Sequence, residues 1–187
     1  MTANSMRPNM NAEPNPQEEH GSIASIHVTV RDCSLGSLLV AATEKGVCAI
    51  LLGDEPETLT QDLRHHFPNA RLIHGDRDFE RHVKDVVDLV ETPTSDFDGV
   101  LDVRGTDFQC RVWKALQEIP TGTTASYKEV AHRIGAPNSV RAVARACASN
   151  VLAVAIPCHR VVRADGDISG YRWGVDRKRR LLDREAA

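Results

Sequence analysis

The sequence predicts an α/β N-terminal domain followed by a mainly α-helical C-terminal domain containing a helix-turn-helix. Three observations predict it. Residues 22–92 open with short alternating or continuous apolar runs and then pass into two amphipathic patterns. Residues 93–104 contain Pro93, Thr94, Ser95, Asp96, Asp98 and Gly99, which reads as a linker. Residues 105–187 carry apolar residues at helical spacing behind two capping boxes.

The first 21 residues are rich in Asn, Pro and Glu and hold no apolar stretch, so they read as a disordered tail. From Ile23 the chain alternates, with Ile26, Val28 and Val30 set against His27 and Thr29, a half-buried strand. Ser37 to Ala42 and Val47 to Leu52 are two further apolar runs, and Glu44-Lys45-Gly46 between them reads as a hairpin turn. Leu59 to Phe67 reads as a short helix stopped at Pro68. A second covers Arg77 to Val90, with Phe79, Val83, Val86, Val87 and Val90 on one face. A short strand at Val100 to Val103 closes the linker.

In the C-terminal part, Thr106 with Gln109 and Ser126 with Glu129 each have capping-box spacing. The first opens a helix through Phe108, Val112, Leu116 and Ile119, which Pro120-Thr121-Gly122 breaks. The second opens a short helix with Val130 and Ile134 inward. After Gly135-Ala136-Pro137, a third helix runs from about Asn138 to Ala148, with Val140, Val143, Ala144 and Cys147 on one face. Short helix, tight turn and second helix form the helix-turn-helix outline. Ala142, Ala144, Ala146 and Ala148 keep the third helix slim, and Arg141 and Arg145 share an exposed face. Such a helix can enter a narrow groove and put a guanidinium where an extruded base had been.

Composition narrows the class. Hydrophobic residues are 41% and charged residues 26%, as in a water-soluble globular protein, and no apolar run is long enough to span a membrane. Five cysteines, an odd number with no C-x-x-C pair and no export signal, point to reduced thiols in a cytoplasmic protein. A monomer is the default. Residues 105–187 carry 14 Lys/Arg against 8 Asp/Glu, net +6, while residues 1–104 are net −9. A basic C-terminal part suits a polyanionic partner, although a run such as Arg177-Lys178-Arg179-Arg180 suits a solvated helix surface as well.

The chemistry concentrates in one segment. Val151 to Ile156 is wholly apolar and reads as a buried strand that delivers Pro157-Cys158-His159-Arg160. A cysteine beside a histidine among arginines is where a thiol would become thiolate, since positive neighbours lower its pKa. Asp183 and Glu185, on the expected C-terminal helix, are both candidates to orient His159. His65-His66 and the scattered cysteines offer no metal-ligand spacing.

Ile156-Pro157-Cys158-His159-Arg160-Val161-Val162 resembles the active-site signature of the O6-alkylguanine-DNA alkyltransferases. So do Phe108 to Trp113, Ile119 to Tyr127, Val140 to Asn150, and Ser169-Gly170-Tyr171-Arg172-Trp173-Gly174. The likeness is densest over about residues 105–186 and is nearest to the methyltransferase half of bacterial adaptive-response proteins. It implies a ribonuclease-H-like N-terminal domain and an active site in the DNA-binding domain. The family's partner is duplex DNA containing O6-alkylguanine, and the reaction is a single, irreversible transfer of the alkyl group to cysteine after the base is flipped out.

The resemblance also implies roles. Cys158 accepts the alkyl group. His159 takes the thiol proton through a water, and Glu185 holds His159. Asn150 braces the turn that presents the cysteine. Tyr127 contacts the target phosphate and donates to the guanine ring. Arg141 fills the space of the flipped base, with Ala142 and Arg145 on the same DNA-facing helix. Backbone groups of Val161 and Arg172, with the Tyr171 ring, line the guanine pocket. No cofactor is expected, and Cys33, Cys48, His27 and His74 do not assemble the zinc site that some members carry in the N-terminal domain. A damage-recognition module without chemistry and a cysteine hydrolase are the competing readings, and a mass gain on Cys158 or repeated turnover would separate them.

Overall fold

The computed structural model describes residues 25–92, 97–168 and 170–186. The expected tail, the strand start at Ile23, residues 93–96 of the expected linker and Ser169 lie outside the described residues.

The N-terminal part is a four-stranded mixed sheet. Strands β1 (Ser25–Cys33), β2 (Gly36–Thr43) and β3 (Gly46–Gly53) form an antiparallel meander. The β2–β3 connection is the two-residue turn at Glu44 and Lys45. Helix α1 (Pro56–His66) then crosses to β4 (Arg71–His74), which pairs parallel to β1, for the order β3-β2-β1-β4. The apolar runs of β2 and β3 are buried almost throughout, which explains their continuous rather than alternating pattern. Sequence reading missed β4: Arg-Leu-Ile-His is four residues long with polar ends, too short to show a period. Helix α1 starts three residues before Leu59, because Pro56 sits in its first turn, where proline needs no amide partner. Helix α2 (Arg77–Glu91) is capped by Asp76, which accepts from the amides of Asp78 and Phe79. It buries Phe79, Val83, Val86, Leu89 and Val90, so Leu89 takes the inward place expected of Val87.

The C-terminal part is helical: α3 (Asp107–Gln117), α4 (Tyr127–Arg133), α5 (Val140–Ala148) and α6 (Val175–Glu185). Both capping boxes form, Thr106 with Gln109 and Ser126 with Glu129. Helix α5 starts two residues later than its pattern, and Ala146 rather than Val140 or Ala144 joins Val143 and Cys147 in the core. The pair β5 (Ala125–Ser126) and β6 (Val161–Val162) runs parallel and ties the start of α4 to the end of the Cys158 segment.

The expected strand at Val151–Ile156 is a correction. The segment is buried, but it is a turn in which Val154 has φ +66°, unusual for a β-branched residue. Only Leu152 pairs with the sheet, with Ile50 N donating to Val151 O at 2.8 Å and Ala153 N donating to Ile50 O at 3.0 Å. The expected strand at Val100–Val103 likewise reduces to one bridge, Leu101 against Val47. Both segments cover the β3 edge, so that strand exposes no free ladder there.

The basic run at 177–180 is solvated only in part: Arg179 and Arg180 are exposed, Arg177 is half-buried and Lys178 is buried. Arg177, Arg180 and Arg184, spaced i, i+3 and i+7 on α6, face the N-terminal part. Arg177 Nε donates to Leu35 O at 2.7 Å and pairs with Asp54. Arg180 Nη2 donates to Ser34 O, and Arg184 donates to Val90 O and Ser34 Oγ. These cations take part in packing the two parts together.

Candidate active site

Asn150 builds the site from the backbone up. Its Nδ2 donates to Leu152 O at 3.3 Å, to Ile156 O at 2.9 Å and to Cys158 Sγ at 3.3 Å, while its Oδ1 accepts from Leu152 N at 2.9 Å. One buried carboxamide therefore satisfies the turn 150–158 from within and accounts for a tight turn where the apolar pattern implied a strand. The chain then closes into a single 3-10 turn, Cys158–Arg160, whose three side chains are all buried.

Burial pushes the Cys158 thiol up to about 11, and the Asn150 hydrogen bond and the Lys178 and Arg172 charges recover only part of that. Desolvation thus outweighs the positive neighbours that the sequence suggested would make a thiolate. At rest Cys158 is a protonated thiol and needs a base.

A candidate base is adjacent in sequence. His159 is fully buried, and its Nε2 lies 2.7 Å from Glu185 Oε1. Burial holds the His159 pKa below its usual value in spite of the Glu185 carboxylate. Glu185 is opposed by burial, but hydrogen bonds from His159 and Arg160 keep its pKa below the usual range. A carboxylate only accepts, so Nε2 carries the hydrogen and Nδ1 the lone pair. His159 Nδ1 is buried without a hydrogen-bond partner among the described residues. Asp183 is exposed, so of the two sequence candidates only Glu185 reaches the histidine.

Two contributors escaped the sequence reading. Arg160 donates from Nε to both Glu185 oxygens, at 3.1 and 3.0 Å, from Nη1 to Ile119 O at 2.6 Å, and from Nη2 to Thr121 Oγ1 at 3.0 Å. Gly122 N also approaches Glu185 Oε2 at 3.4 Å. At Gly122, φ is +75° and an added Cβ would meet the Glu185 carbonyl oxygen at 2.9 Å, so the Pro-Thr-Gly break requires its glycine. Lys178, read as part of a solvated run, is wholly buried and donates Nζ to Val161 O at 2.5 Å. A signal for it existed: Lys178, Leu181 and Glu185 fall at i, i+3 and i+7, one inward face of α6.

Above the thiol lies a cleft of about 330 Å³ lined by Tyr127, Ala144, Cys147, Ala148, Cys158, Gly170, Tyr171 and Arg172. Tyr127, Tyr171 and Arg172 were expected there; Val161 is buried one strand position beyond the 3-10 turn, and its carbonyl accepts from Lys178 Nζ. Burial pushes the Tyr127 hydroxyl up to about 12, so it stays a donor at neutral pH. The Tyr171 ring stands edge-on to His159 at 6.5 Å and to Trp173 at 5.1 Å. Ala144 and Ala148 face the cleft while Arg141 and Arg145 face solvent, so α5 is at once a wall of the cleft and an exposed basic ridge, with half-buried Ala142 beside Arg141. The arrangement can deprotonate a buried thiol, hold a planar group against an aromatic ring, and protonate a departing heteroatom.

Residues 107–187 match the family described as 6-O-methylguanine DNA methyltransferase, DNA binding domain. The chain is 51% identical over 166 residues to the bifunctional transcriptional activator/DNA repair enzyme Ada of Escherichia coli, covering 89% of this chain and 47% of that protein. It is 37% identical over 147 residues to an inducible methylated-DNA–protein-cysteine methyltransferase of Bacillus subtilis, covering 78% of this chain and 82% of that protein. Its fold is similar to the crystal structure of Mycobacterium tuberculosis OGT in complex with DNA, with a TM-score of 0.71, 37% identity, and coverage of 87% of this chain and 92% of that one. The chain thus spans about half the length of the first of these relatives and most of the other two.

Proposed function

The chain belongs to the methylated-DNA–protein-cysteine methyltransferases, and from that premise we propose that it repairs duplex DNA by moving an alkyl group from O6 of a flipped-out guanine to Cys158. The observation that carries the proposal is a buried, protonated thiol at the floor of a cleft, held by Asn150 and next to a neutral histidine that Glu185 anchors through its far nitrogen.

The flipped guanine enters the cleft against Tyr171. Its O6 substituent is out of reach while the base is stacked, so extrusion comes first, at a cost of a few kcal/mol. Arg141, exposed at the start of α5, fills the vacated stack and offsets part of that cost, while Ala142 and Arg145 lie along the DNA. His159 Nδ1 takes the thiol proton through a water. The sulfur forms a bond to the alkyl carbon as the carbon–O6 bond breaks, and Tyr127 donates to the guanine ring as charge develops there. The product is a thioether, whose sulfur is a poor leaving group, so each chain reacts once. No step calls for a cofactor.

The architecture supports the finer reading. An antiparallel meander with a fourth strand parallel to the first, reached through a helix, is the arrangement of a ribonuclease-H-like sheet. Helices α4 and α5, joined around Gly135, would serve as a helix-turn-helix with α5 as the recognition helix. We take residues 22–92 and 105–187 as the two domains and 93–104 as their linker.

Intact-protein mass spectrometry after incubation with duplex DNA carrying O6-methylguanine tests the proposal. One addition of about 14 Da per chain, mapping to Cys158, is expected. DNA binding without any addition would point instead to a damage-recognition module. Arg141→Ala should slow transfer from duplex DNA by about ten- to a hundredfold and change the reaction with free O6-methylguanine base by less than about twofold, because only the duplex requires flipping. Equal losses on both substrates would remove the stack-filling role.

A further inference from the structure

Arg172 links the cleft to the N-terminal part. Its Nη2 lies 2.8 Å from His66 Nε2 and 3.4 Å from Asp62 Oδ2, both on α1, and its Nη1 donates to Ala148 O at 3.4 Å. Arg172 and Ala148 both line the cleft above Cys158. A guanidinium has no acceptor, so His66 Nε2 must accept, which requires a neutral ring with its hydrogen on Nδ1. Asp62 adds opposite charge, leaving the guanidinium spanning α1 of one part and the end of α5 in the other.

We propose that His66, assisted by Asp62, is a positioning residue for alkyl transfer, holding Arg172 as one wall of the substrate cleft so that the N-terminal domain sets the width available to the guanine. The proposal rests on the alkyl-transfer reading of the site. It gives the N-terminal sheet domain a part in the reaction through a contact that reaches no reacting atom.

The hold depends on pH. The charged groups around His66 are Arg172 from the cleft, Asp62 and His65 from α1, and Arg104 across an adjoining interdomain cavity, where Arg104 is itself paired with Asp102. Burial and the Arg172 charge lower the His66 pKa from its ordinary 6.5. The neutral, accepting form therefore prevails above the ordinary value, and the contact is lost as pH falls through the lowered one. Below it, two cations face each other and Arg172 is released toward the cleft.

The test uses the full chain, a duplex oligonucleotide with one O6-methylguanine, and single-turnover quench kinetics that separate DNA affinity from the transfer step. At about pH 7.5, His66→Ala should slow transfer roughly tenfold with DNA affinity changed less than about twofold, since a displaced wall misplaces the base without removing a phosphate contact. His66→Gln, whose amide oxygen also accepts, should keep the neutral-pH rate. Titration of His159 contributes an acid limb to every variant, so the reading is the difference between profiles: the wild type should fall more steeply than His66→Gln as pH drops through the lowered His66 pKa. Asp62→Asn, which preserves shape, should give a smaller slowing and serves where His66→Ala unfolds. His66→Ala and Asp62→Asn both matching the wild type in rate and pH profile, with Cys158 methylated in all, would overturn the positioning role. A wild-type chain that gains no methyl group would instead defeat the underlying functional reading.

Discussion

Cys158→Ala is expected to gain no mass from O6-methylguanine DNA while binding that DNA about as tightly as the wild type. The loss is absolute because no other thiol is equivalent. Cys147 lines the same cleft, but burial drives its pKa above even that of Cys158, and neither Asn150 nor a neighbouring base serves it. Binding survives because the mutation leaves the turn intact. Asn150 Nδ2 keeps the carbonyls of Leu152 and Ile156 as acceptors after the sulfur is gone, so no buried donor is orphaned. The missing sulfur leaves a small cavity costing about 1 kcal/mol. A Cys158→Ala chain that still removed the methyl group, or that lost DNA binding outright, would overturn the assignment. Burial holds the Cys158 thiol pKa up at about 11, which favours the thiol over the thiolate at neutral pH.

Glu185→Ala should be the most damaging substitution that touches no reacting atom. The carboxylate is fully enclosed and holds two partners, His159 at 2.7 Å and the Arg160 guanidinium at about 3 Å. Removing it leaves Arg160 buried with carbonyl and hydroxyl acceptors but without that counter-charge. A loss of about 3–5 kcal/mol in unfolding free energy is expected by chemical denaturation. The reaction suffers separately. Without Glu185 the His159 ring can turn or carry its hydrogen on the wrong nitrogen, and transfer by the folded fraction should slow about a hundredfold or more. The pH dependence has a definite sign. The folded pKa of Glu185 is lowered from 4.5, so its stabilisation is present above the unfolded value and disappears as pH falls through the folded one. Glu185→Ala should lose that component of acid sensitivity. An unfolding curve and a transfer rate both close to wild type would show that His159 and Arg160 do not depend on this carboxylate.

Particular residues show how far the sequence reached. Both capping boxes, the hairpin turn, the second helix and the exposed pair Arg141 and Arg145 were legible because each is a local pattern whose physics completes within about one helical turn or one hairpin. The segment 151–156 was legible as buried and misleading as a strand. Apolarity records removal from water, while the turn comes from four polar contacts of a single asparagine that no hydrophobic pattern carries. Arg177 and Lys178 were misleading for the opposite reason. Charge reads as exposure, which holds for Arg179 and Arg180, yet Arg177 is half-buried against Leu35 O and Lys178 is buried against Val161 O.

By itself, then, the sequence determined the β-meander and most of the helices, the burial of the Cys158 segment, and through the resemblance of its motifs the candidate nucleophile, its histidine and the choice of Glu185. These depend on spacing along one chain. The tertiary structure alone decided that burial raises the Cys158 thiol pKa, that Arg160 holds Glu185 and Lys178 holds the Val161 carbonyl, and that Arg172 is gripped by His66 and Asp62 from more than a hundred residues away. Those outcomes depend on how much water is removed from each group and on which distant partners replace it, and desolvation and long-range pairing leave no periodic mark in a sequence.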